Sequence, residues 1–215
     1  MKIGILGTGN VGQTIGTKLI QLGNDVKLGS RMAENEKAIE WTRQNGSKAS
    51  HGTFAQAAGY ANILFNCTAG SASIVALNLA EKENLNGKIL IDVANPLDFS
   101  NGMPPALSIC NTSSLGEEIQ KSFPEAKVVK ALNTMSCKLM VNPALLKDEH
   151  DAFVCGNNKE AKSEVISILK EWFGWKSVID LGDITASRGM EMILPIWLSL
   201  MGTFQTTNFN FKIVK

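Results

Sequence analysis

Three glycines near the start of the chain form the pattern most directly tied to a chemistry. Gly7, Gly9 and Gly12 fit G-x-G-x-x-G in the segment GTGNVG, which follows an apolar strand-like run and opens a helical stretch. In that setting the first glycine permits a tight turn, the second lets the backbone approach a pyrophosphate, and the third lets helix and strand pack closely. The helix N-terminus adds free N–H groups and a positive dipole end. The motif therefore predicts a dinucleotide-binding site.

Ser30 and Arg31 indicate which dinucleotide is bound. In an NAD-binding unit a carboxylate about twenty residues beyond the glycines bonds the ribose 2′-hydroxyl. Arg31 occupies that place in the segment KLGSRM, and no acidic residue lies between Val26 and Ala33. A guanidinium can bind two oxygens of a 2′-phosphate, helped by the Ser30 hydroxyl and the backbone of Gly29. We therefore expect NADP(H) rather than NAD(H).

Small and amide-bearing residues follow three further predicted strands, in the segments CTAG at 67–70, ANP at 94–96 and NTM at 133–135. Ligands of doubly wound sheets lie across the carboxyl ends of the strands, so these segments are candidates to meet the nicotinamide. Asn95 and Asn133 have the alternative of capping turns. Cys67 has no histidine beside it in the sequence, which favours an inert buried thiol over a nucleophile.

The predicted cofactor-binding residues come from all of these segments. They are Gly7, Thr8, Gly9, Asn10, Val11, Gly12, Ser30, Arg31, Cys67, Thr68, Ala69, Ala94, Asn95 and Asn133. No serine–histidine–aspartate set or carboxylate pair stands out, so no catalytic residue is predicted.

The elements that must position these residues alternate between apolar strands and amphipathic helices. We predict strands at 2–7, 25–28, 63–66, 88–93, 127–132, 152–155 and 178–181, and helices at 11–22, 34–45, 71–82, 114–123, 159–174 and 186–204. Thr53 with Gln56, and Ser114 with Glu117, resemble capping boxes. The alternation predicts an α/β, Rossmann-like doubly wound and mostly parallel sheet with right-handed crossovers.

The domain organisation predicted from this pattern is a single unit over residues 1–215, with 183–215 as a small C-terminal helix and tail. No linker separates two parts of the chain. The segment 98–110, which contains MPP, is the best candidate for a mobile loop.

Composition excludes several classes of function. The chain has 215 residues, 44% of them hydrophobic and 19% charged, with a formal net charge of +1, so no global field attracts nucleic acid or anionic lipid. Four scattered cysteines and two distant histidines give no metal-ligand spacing, and no metal is expected. Reduced thiols are typical of a cytoplasmic protein.

Two segments bear on membranes and targeting. Because the predicted first strand begins at residue 2, we expect no signal peptide. The apolar stretch at 190–204 is interrupted by Glu191 and Pro195, and its core is about half the roughly twenty residues of a membrane span. We expect a cytoplasmic protein in which this stretch is a helix packed in the core or in a dimer interface.

The chain resembles the NADP oxidoreductase family named for coenzyme F-420, a deazaflavin. The resemblance covers the whole chain and is carried by the segments GILGTGNVG, LGSR, VVKALNT, VCG and SRGMEMILPIWLSLM. It implies that Thr8, Asn10, Val11, Ser30 and Arg31 hold NADP(H). It also implies that the loop at 133–135 and the last helix face a second carrier, and that the protein is a homodimer.

One position departs from the family pattern. Asn133 stands where a histidine is expected in enzymes that use the deazaflavin, and Thr134-Met135-Ser136 follows without the usual proline. In this respect the chain is similar to the cytosolic domain of the six-transmembrane metalloreductases, which pairs NADPH with a flavin. A flavin and the deazaflavin both remain open as the second carrier.

These observations lead to one expected function and two alternatives. We expect an NADP(H)-dependent oxidoreductase that passes a hydride between the nicotinamide and a flavin or deazaflavin, where the carriers supply the chemistry. One alternative is reduction of a small carbonyl compound, with Lys130 or Lys138 as the acid. The other is a non-catalytic NADP(H)-binding redox sensor.

Overall fold

The computed structural model describes all residues 1–215 and is built around one eight-stranded sheet. The strands of the sheet are β1 (Lys2–Leu6), β2 (Asp25–Ser30), β3 (Ala49–Thr53), β4 (Ile63–Asn66), β5 (Ile89–Asp92), β8 (Lys127–Ala131), β9 (Asp151–Gly156) and β10 (Ser177–Asp180), and a separate hairpin holds β6 (Leu97–Asp98) and β7 (Ala106–Leu107). The order across the sheet is β10-β9-β8-β5-β4-β1-β2-β3.

Nine α-helices connect or flank these strands. They are α1 (Asn10–Gln21), α2 (Glu36–Asn45), α3 (Phe54–Tyr60), α4 (Gly70–Leu79), α5 (Leu115–Ser122), α6 (Cys137–Val141), α7 (Lys159–Ser167), α8 (Ser187–Met192) and α9 (Leu194–Phe204). The helix α7 continues through a π-helical turn, Ile168–Trp172.

The direction of the strands confirms the predicted mostly parallel, Rossmann-like sheet. The six strands β3, β2, β1, β4, β5 and β8 are parallel to one another. The strand β9 is antiparallel to β8, and β10 is parallel to β9. Apolar side chains point to both faces, so that two buried cores form, one containing Ile3 and Ile5 and the other Leu6 and Leu64. Burial on both faces explains why the strands read as continuous apolar runs.

The helix after the glycine motif packs closely on β1 and α2 because it carries small residues on its inner face. Ile15 and Leu19 of α1 are fully buried. A Cβ at Gly16 would lie 2.7 Å from the Trp41 ring, and one at Gly12 would clash with the carbonyl oxygen of Gly7. The predicted packing role of Gly12 is therefore confirmed, and Gly16 allows a similar close approach to α2.

Several elements differ from the sequence prediction. The strand β3 was not predicted, because ASHGT has little of the apolar or β-branched content of a strand and owes its conformation to pairing with β2. The segment predicted as a mobile loop contains the antiparallel hairpin β6–β7, and the helix α6 was not predicted. Both hairpin strands have only two residues, which gives no periodic signal.

The predicted helix at 186–204 is wrong as a single element. It is divided at Ile193 into α8 and α9, because Pro195 in the first turn of α9 has no N–H to continue the hydrogen bonding of α8. Only Leu194 and Trp197 of the eleven α9 residues are buried, so α9 is not a core helix within one chain. No helix has both the length and the apolar character needed to cross a bilayer.

The segment after α9 has no regular secondary structure, yet it is bound to the start of β9. The Asp151 N–H donates to the Phe211 carbonyl at 2.9 Å, and the Ile213 N–H donates to the Asp151 carboxylate at 2.5 Å. The ring of Phe209 stacks on Trp197 with a centroid distance of 5.2 Å. These contacts tie the segment after α9 to the start of β9 and to Trp197.

A buried ammonium joins the sheet to the C-terminal helices. Lys130 on β8 is 0% exposed, and its Nζ lies 2.8 Å from the carboxylate of Asp92 on β5 and 2.8 Å from that of Glu191 on α8. The Glu191 carboxylate also accepts the N–H groups of Leu115 and Gly116 at the start of α5, at 2.8 and 3.1 Å. Two strands and two helices therefore meet at one positive charge.

The ionisation of Lys130 follows from its neighbours. Burial alone lowers the pKa of a lysine, but the charges and hydrogen bonds of Asp92 and Glu191 outweigh it and raise the Lys130 pKa above its ordinary value. A raised folded-state pKa contributes stability below the unfolded pKa, and that stability is lost as pH rises through the folded pKa. The raised pKa therefore keeps Lys130 positively charged throughout the neutral range.

We predict that Lys130→Met lowers the free energy of unfolding by about 3–5 kcal/mol, because it leaves two carboxylates buried without their cation. Urea denaturation at neutral pH measures the change. Lys176→Met is the matched control, since Lys176 and its partner Glu149 are exposed and 3.8 Å apart, and it should cost at most about 1 kcal/mol. Equal midpoints for the two variants would contradict the structural role of Lys130.

Candidate functional site

The glycine turn between β1 and α1 has the geometry that the motif predicts. Gly7 has a φ of +119°, which favours glycine, and a Cβ there would lie 2.5 Å from the carbonyl oxygen of Cys67. Gly9 is the N-cap of α1, and no side chain caps the helix. Nothing lies within 4 Å of the Cβ position of Gly9. The first turn of α1 thus presents uncapped N–H groups beside open space.

A cavity of about 750 Å³ opens at this turn, at the carboxyl ends of β1, β2 and β4. It brings together eight of the predicted residues, which are Gly7, Thr8, Gly9, Ser30, Arg31, Cys67, Thr68 and Ala69. The volume is within the range of small-molecule and cofactor sites. The cavity is therefore placed where the open edge of a doubly wound sheet binds its ligands.

The end of β2 supplies the charged part of the cavity. Arg31 is exposed and takes part in none of the ion pairs of the chain. Ser30 is buried, and its hydroxyl donates to the carbonyl oxygen of Met32 at 2.5 Å. Asn35, the N-cap of α2, lines the same side of the cavity. A free guanidinium beside uncapped helix N–H groups makes this half of the cavity suited to anions.

The loop after β4 forms the opposite wall. Thr68 donates a hydrogen bond to the Asn66 side-chain oxygen at 2.7 Å, and its hydroxyl lies 2.8 Å from that of Ser73. Burial of the Cys67 thiol, reinforced by the negative charge of Asp92, raises the Cys67 pKa well above its ordinary value. A thiol held in its neutral form is a poor nucleophile, in agreement with the predicted inert role.

A second group of predicted residues lies outside the cavity, at the ends of β5 and β8. The side chains of Asn95 and Asn133 are joined, because the Asn133 amide donates to the Asn95 oxygen at 2.9 Å and the Asn95 amide donates to the Asn133 carbonyl at 2.8 Å. The Asn133 amide also donates to the Met190 carbonyl at 2.9 Å. The backbone of Ala94 is occupied by Lys130 and Asp92. These contacts join the ends of β5 and β8.

Asn133 nevertheless has one free acceptor. Its side chain is 1% exposed, and its Oδ1 has no hydrogen-bond partner. Both amide hydrogens point at oxygens, so the amide orientation is fixed. A buried acceptor without a donor is costly, which marks Oδ1 as a place where a ligand N–H or O–H would be stabilised.

The remaining predicted residues belong to α1 rather than to the cavity wall. Asn10, Val11 and Gly12 form the first turn of the helix, and Gly12 is buried against β1. Their contribution is to place the helix N-terminus at the cavity.

The cavity wall also contains residues that were not predicted. They are Met32, Asn35, Phe54, Ser71, Ala72, Val75, Ala76 and Leu79. Ala72, Val75, Ala76 and Leu79 follow the i, i+3, i+4, i+7 spacing of one helix face, so the prediction of α4 contained a signal for them. Phe54 follows the unpredicted strand β3, and nothing in the sequence indicated its place.

The two lysines considered as acids for carbonyl reduction do not lie where they could donate a proton to a substrate in the cavity. Lys130 is fully buried between two carboxylates, and Lys138 is an exposed residue of α6. Neither lines the cavity. No three histidine, cysteine, aspartate or glutamate side chains lie together in a way that could hold a metal ion. The arrangement offers positioning groups rather than an acid–base pair.

Comparisons with known proteins agree with this geometry. The family model described as NADP oxidoreductase, coenzyme F420-dependent, matches residues 2–96. The chain is similar to an F420-dependent NADP reductase of Methanocaldococcus jannaschii, with 30% identity covering 99% of this chain and 98% of the relative. It is also similar to the metalloreductase STEAP3 of Rattus norvegicus, with 27% identity covering 97% of this chain and 41% of the relative.

A solved structure extends the likeness to the whole fold. The crystal structure of a candidate F420-dependent NADP reductase from Arthrobacter sp. FB24 has a TM-score of 0.94 and 50% identity, covering 100% of both chains. With a relative at 30% identity over nearly the whole of both chains, the protein belongs to the family of coenzyme F420-dependent NADP oxidoreductases and is an NADP-dependent oxidoreductase.

Proposed function

We propose that the protein transfers a hydride between NADP(H) bound in the cavity and a flavin or deazaflavin carrier. The observation that supports this most directly is the cavity itself, in which uncapped helix N–H groups and the free Arg31 guanidinium line one continuous space. The nicotinamide supplies the hydride chemistry when it is bound. The relatives named F420-dependent NADP reductase support a deazaflavin as the carrier, and the similarity to a metalloreductase keeps a flavin open.

The residues present fit a phosphorylated dinucleotide. The open space at the Gly9 Cβ position leaves room for a pyrophosphate against the backbone. Arg31 stands at the end of β2, where the adenosine ribose is expected, with no competing carboxylate partner. We propose that the predicted cavity residues bind the cofactor through these groups.

The role proposed for the protein in hydride transfer is positioning. The Asn133 Oδ1 offers a buried acceptor at the end of β8, two strands from β4, and no acid–base residue is required when both reacting groups are redox carriers. Asn133, α8 and the apolar helix α9 are the proposed environment of the second carrier.

We further propose that the protein is a homodimer formed through α9 and that it is cytoplasmic. The α9 sequence LPIWLSLMGTF is strongly apolar, yet Ile196 and Phe204 are each 55% exposed. An apolar helix face of this kind gains stability when a second copy covers it. The resemblance to a dimeric family supports the same choice of partner.

For the nucleotide, we predict that Arg31→Ala weakens NADPH binding by about 1.5–3 kcal/mol, roughly 10- to 150-fold, because a charge-assisted phosphate contact is lost. NADH has no 2′-phosphate, so its affinity should not change. Isothermal titration calorimetry measures both. Arg43→Ala removes an exposed arginine of α2 that pairs with Glu40 and should leave both affinities as they are. Equal wild-type affinity for NADPH and NADH would contradict the specificity.

For the carrier, we predict that single-turnover mixing with NADPH reduces FMN, FAD or coenzyme F420, whereas a panel of small aldehydes, ketones and imines is not reduced. Stopped-flow absorbance at 340 nm and in the carrier band follows the reaction. Reduction of a carbonyl compound alone would favour the rival dehydrogenase. NADPH binding without reduction of any carrier would instead favour a redox sensor.

For the assembly, we predict that the wild type sediments as a dimer and that Ile196→Glu with Phe204→Glu sediments as a monomer, because two carboxylates in an apolar interface oppose its burial. Analytical ultracentrifugation at micromolar concentration distinguishes the two. Leu145→Glu is the control, since Leu145 is similarly exposed, at 49%, but lies far along the chain from α9. A monomeric wild type would exclude the proposed dimer.

A further inference from the structure

A chain of buried side chains leads from the Lys130 ammonium to the wall of the cavity. Lys130 donates to Asp92 at 2.8 Å, and the Asp92 carboxylate accepts from the Asn66 amide at 2.8 Å. The side-chain oxygen of Asn66 then accepts from the Thr68 hydroxyl at 2.7 Å. Lys130, Asp92 and Asn66 are all 0% exposed, and Thr68 lines the cavity.

The direction of every hydrogen bond in this chain is determined. An ammonium only donates and a carboxylate only accepts, so the amide of Asn66 must turn its nitrogen to Asp92 and its oxygen to Thr68. The Thr68 hydrogen is therefore committed to Asn66. The Asn66 amide nitrogen also donates to the Ser73 hydroxyl oxygen at 3.1 Å. The Ser73 and Thr68 hydroxyl oxygens are 2.8 Å apart, and because the Thr68 hydrogen is already committed, Ser73 is the donor in that pair. Thr68 is left with one lone pair and no free hydrogen.

The position of Thr68 in the sheet indicates which half of the dinucleotide would lie beside it. The strands β2, β1 and β4 are consecutive in the sheet. Arg31 directly follows β2 on the proposed adenosine side. The glycine turn follows β1 at the position proposed for the pyrophosphate. The Cβ position of Gly7 is 2.5 Å from the Cys67 carbonyl, so a ligand that continues past the turn reaches Thr68 next. This order places Thr68 on the side of the glycine turn away from Arg31, where the nicotinamide half is proposed to lie.

We propose that Thr68 is an obligate hydrogen-bond acceptor for an O–H or N–H group on the nicotinamide half of the dinucleotide, and that Asn66 is the positioning residue that fixes this polarity. Asp92 and Lys130 fix Asn66 in turn. The inference rests on the proposed NADP(H) function, and it adds that Thr68 is the acceptor and the cofactor the donor in one hydrogen bond. The donor is either a ribose hydroxyl or the carboxamide NH2.

The test compares the whole cofactor with its adenosine half. Thr68→Val keeps the shape of the side chain and removes the hydroxyl, and Thr68→Ser keeps the hydroxyl. We expect Thr68→Val to weaken NADPH binding about tenfold, the value of one hydrogen bond, and to leave the affinity for 2′,5′-ADP unchanged. Thr68→Ser should restore most of the NADPH affinity. A purely structural role would instead weaken both ligands together.

The role of Asn66 is tested by a double-mutant cycle. Asn66→Ser cannot span the distance between Asp92 and Thr68, and it should weaken NADPH binding relative to 2′,5′-ADP in the wild-type background. In the Thr68→Val background the same change should add less than about twofold, because Asn66 acts through Thr68. Full additivity would overturn the positioning role.

The 3-acetylpyridine analogue of NADPH, which has no amide N–H, separates the two donors. If the Thr68→Val penalty disappears with the analogue, the donor is the carboxamide, and if it persists, the donor is a ribose hydroxyl. Thr68→Val with wild-type NADPH affinity, or with equal losses for NADPH and 2′,5′-ADP, would overturn the inference. Failure of the proposed function is distinct, because the wild type itself would then not bind NADPH.

Discussion

The arrangement of the carboxyl ends of the strands, where the ligand is proposed to bind, depends on the ion pairs of the buried Lys130 ammonium. It lies between two buried carboxylates from β5 and α8, a group with a formal charge of −1. The surplus negative charge is placed at the N-terminus of α5, where Leu115 and Gly116 donate to Glu191 and the helix dipole is favourable. Removing the buried cation alone destabilises the fold far more than replacing the whole group by apolar residues would. The group therefore fixes how β5, β8, α5 and α8 pack together.

Two features near the carboxyl ends of the strands follow from the contacts of Lys130. On one side, the direction of hydrogen bonding passes through Asn66 to the Thr68 hydroxyl. On the other side, Glu191 holds α8 so that the Met190 carbonyl accepts from Asn133. The backbone turns sharply before Asn133, since Leu132 has a φ of +62°, a conformation that costs a non-glycine residue about 1 kcal/mol or more. Thr68 in the cavity and Asn133 outside it therefore both present acceptors whose orientation is set from within the core.

The sequence was sufficient for those parts of the fold that arise from local patterns. The glycine turn, the parallel strands, the capping box at Thr53 and the place of Arg31 all depend on residues close together in the chain. The pairing of β9 with β8 in the opposite direction, the strand β3 and the division between α8 and α9 depend on contacts with distant segments. The network around Lys130 joins side chains as far apart in the sequence as Asn66 and Glu191, and no spacing pattern predicts it.

The candidate site divides in the same way. The half near the glycine turn was predicted from motifs. Asn95 and Asn133 were predicted to bind the cofactor, with capping of turns as the alternative, and the structure shows that they bond each other. The face of α4 that lines the cavity could have been identified from its spacing, but Phe54 could not, because its position depends on β3.

The half-buried Cys67 thiol has a consequence for how the protein withstands oxidants. Oxidation to sulfenic acid begins from the thiolate, and the raised pKa of Cys67 keeps that form scarce at neutral pH. Burial raises the pKa of Cys155 as well, to about 12. Cys110 is the exposed cysteine and meets a peroxide or an alkylating reagent first, in the segment between the hairpin and α5. We therefore expect thiol damage to fall on this surface position before it reaches the sulfur beside the proposed nicotinamide site.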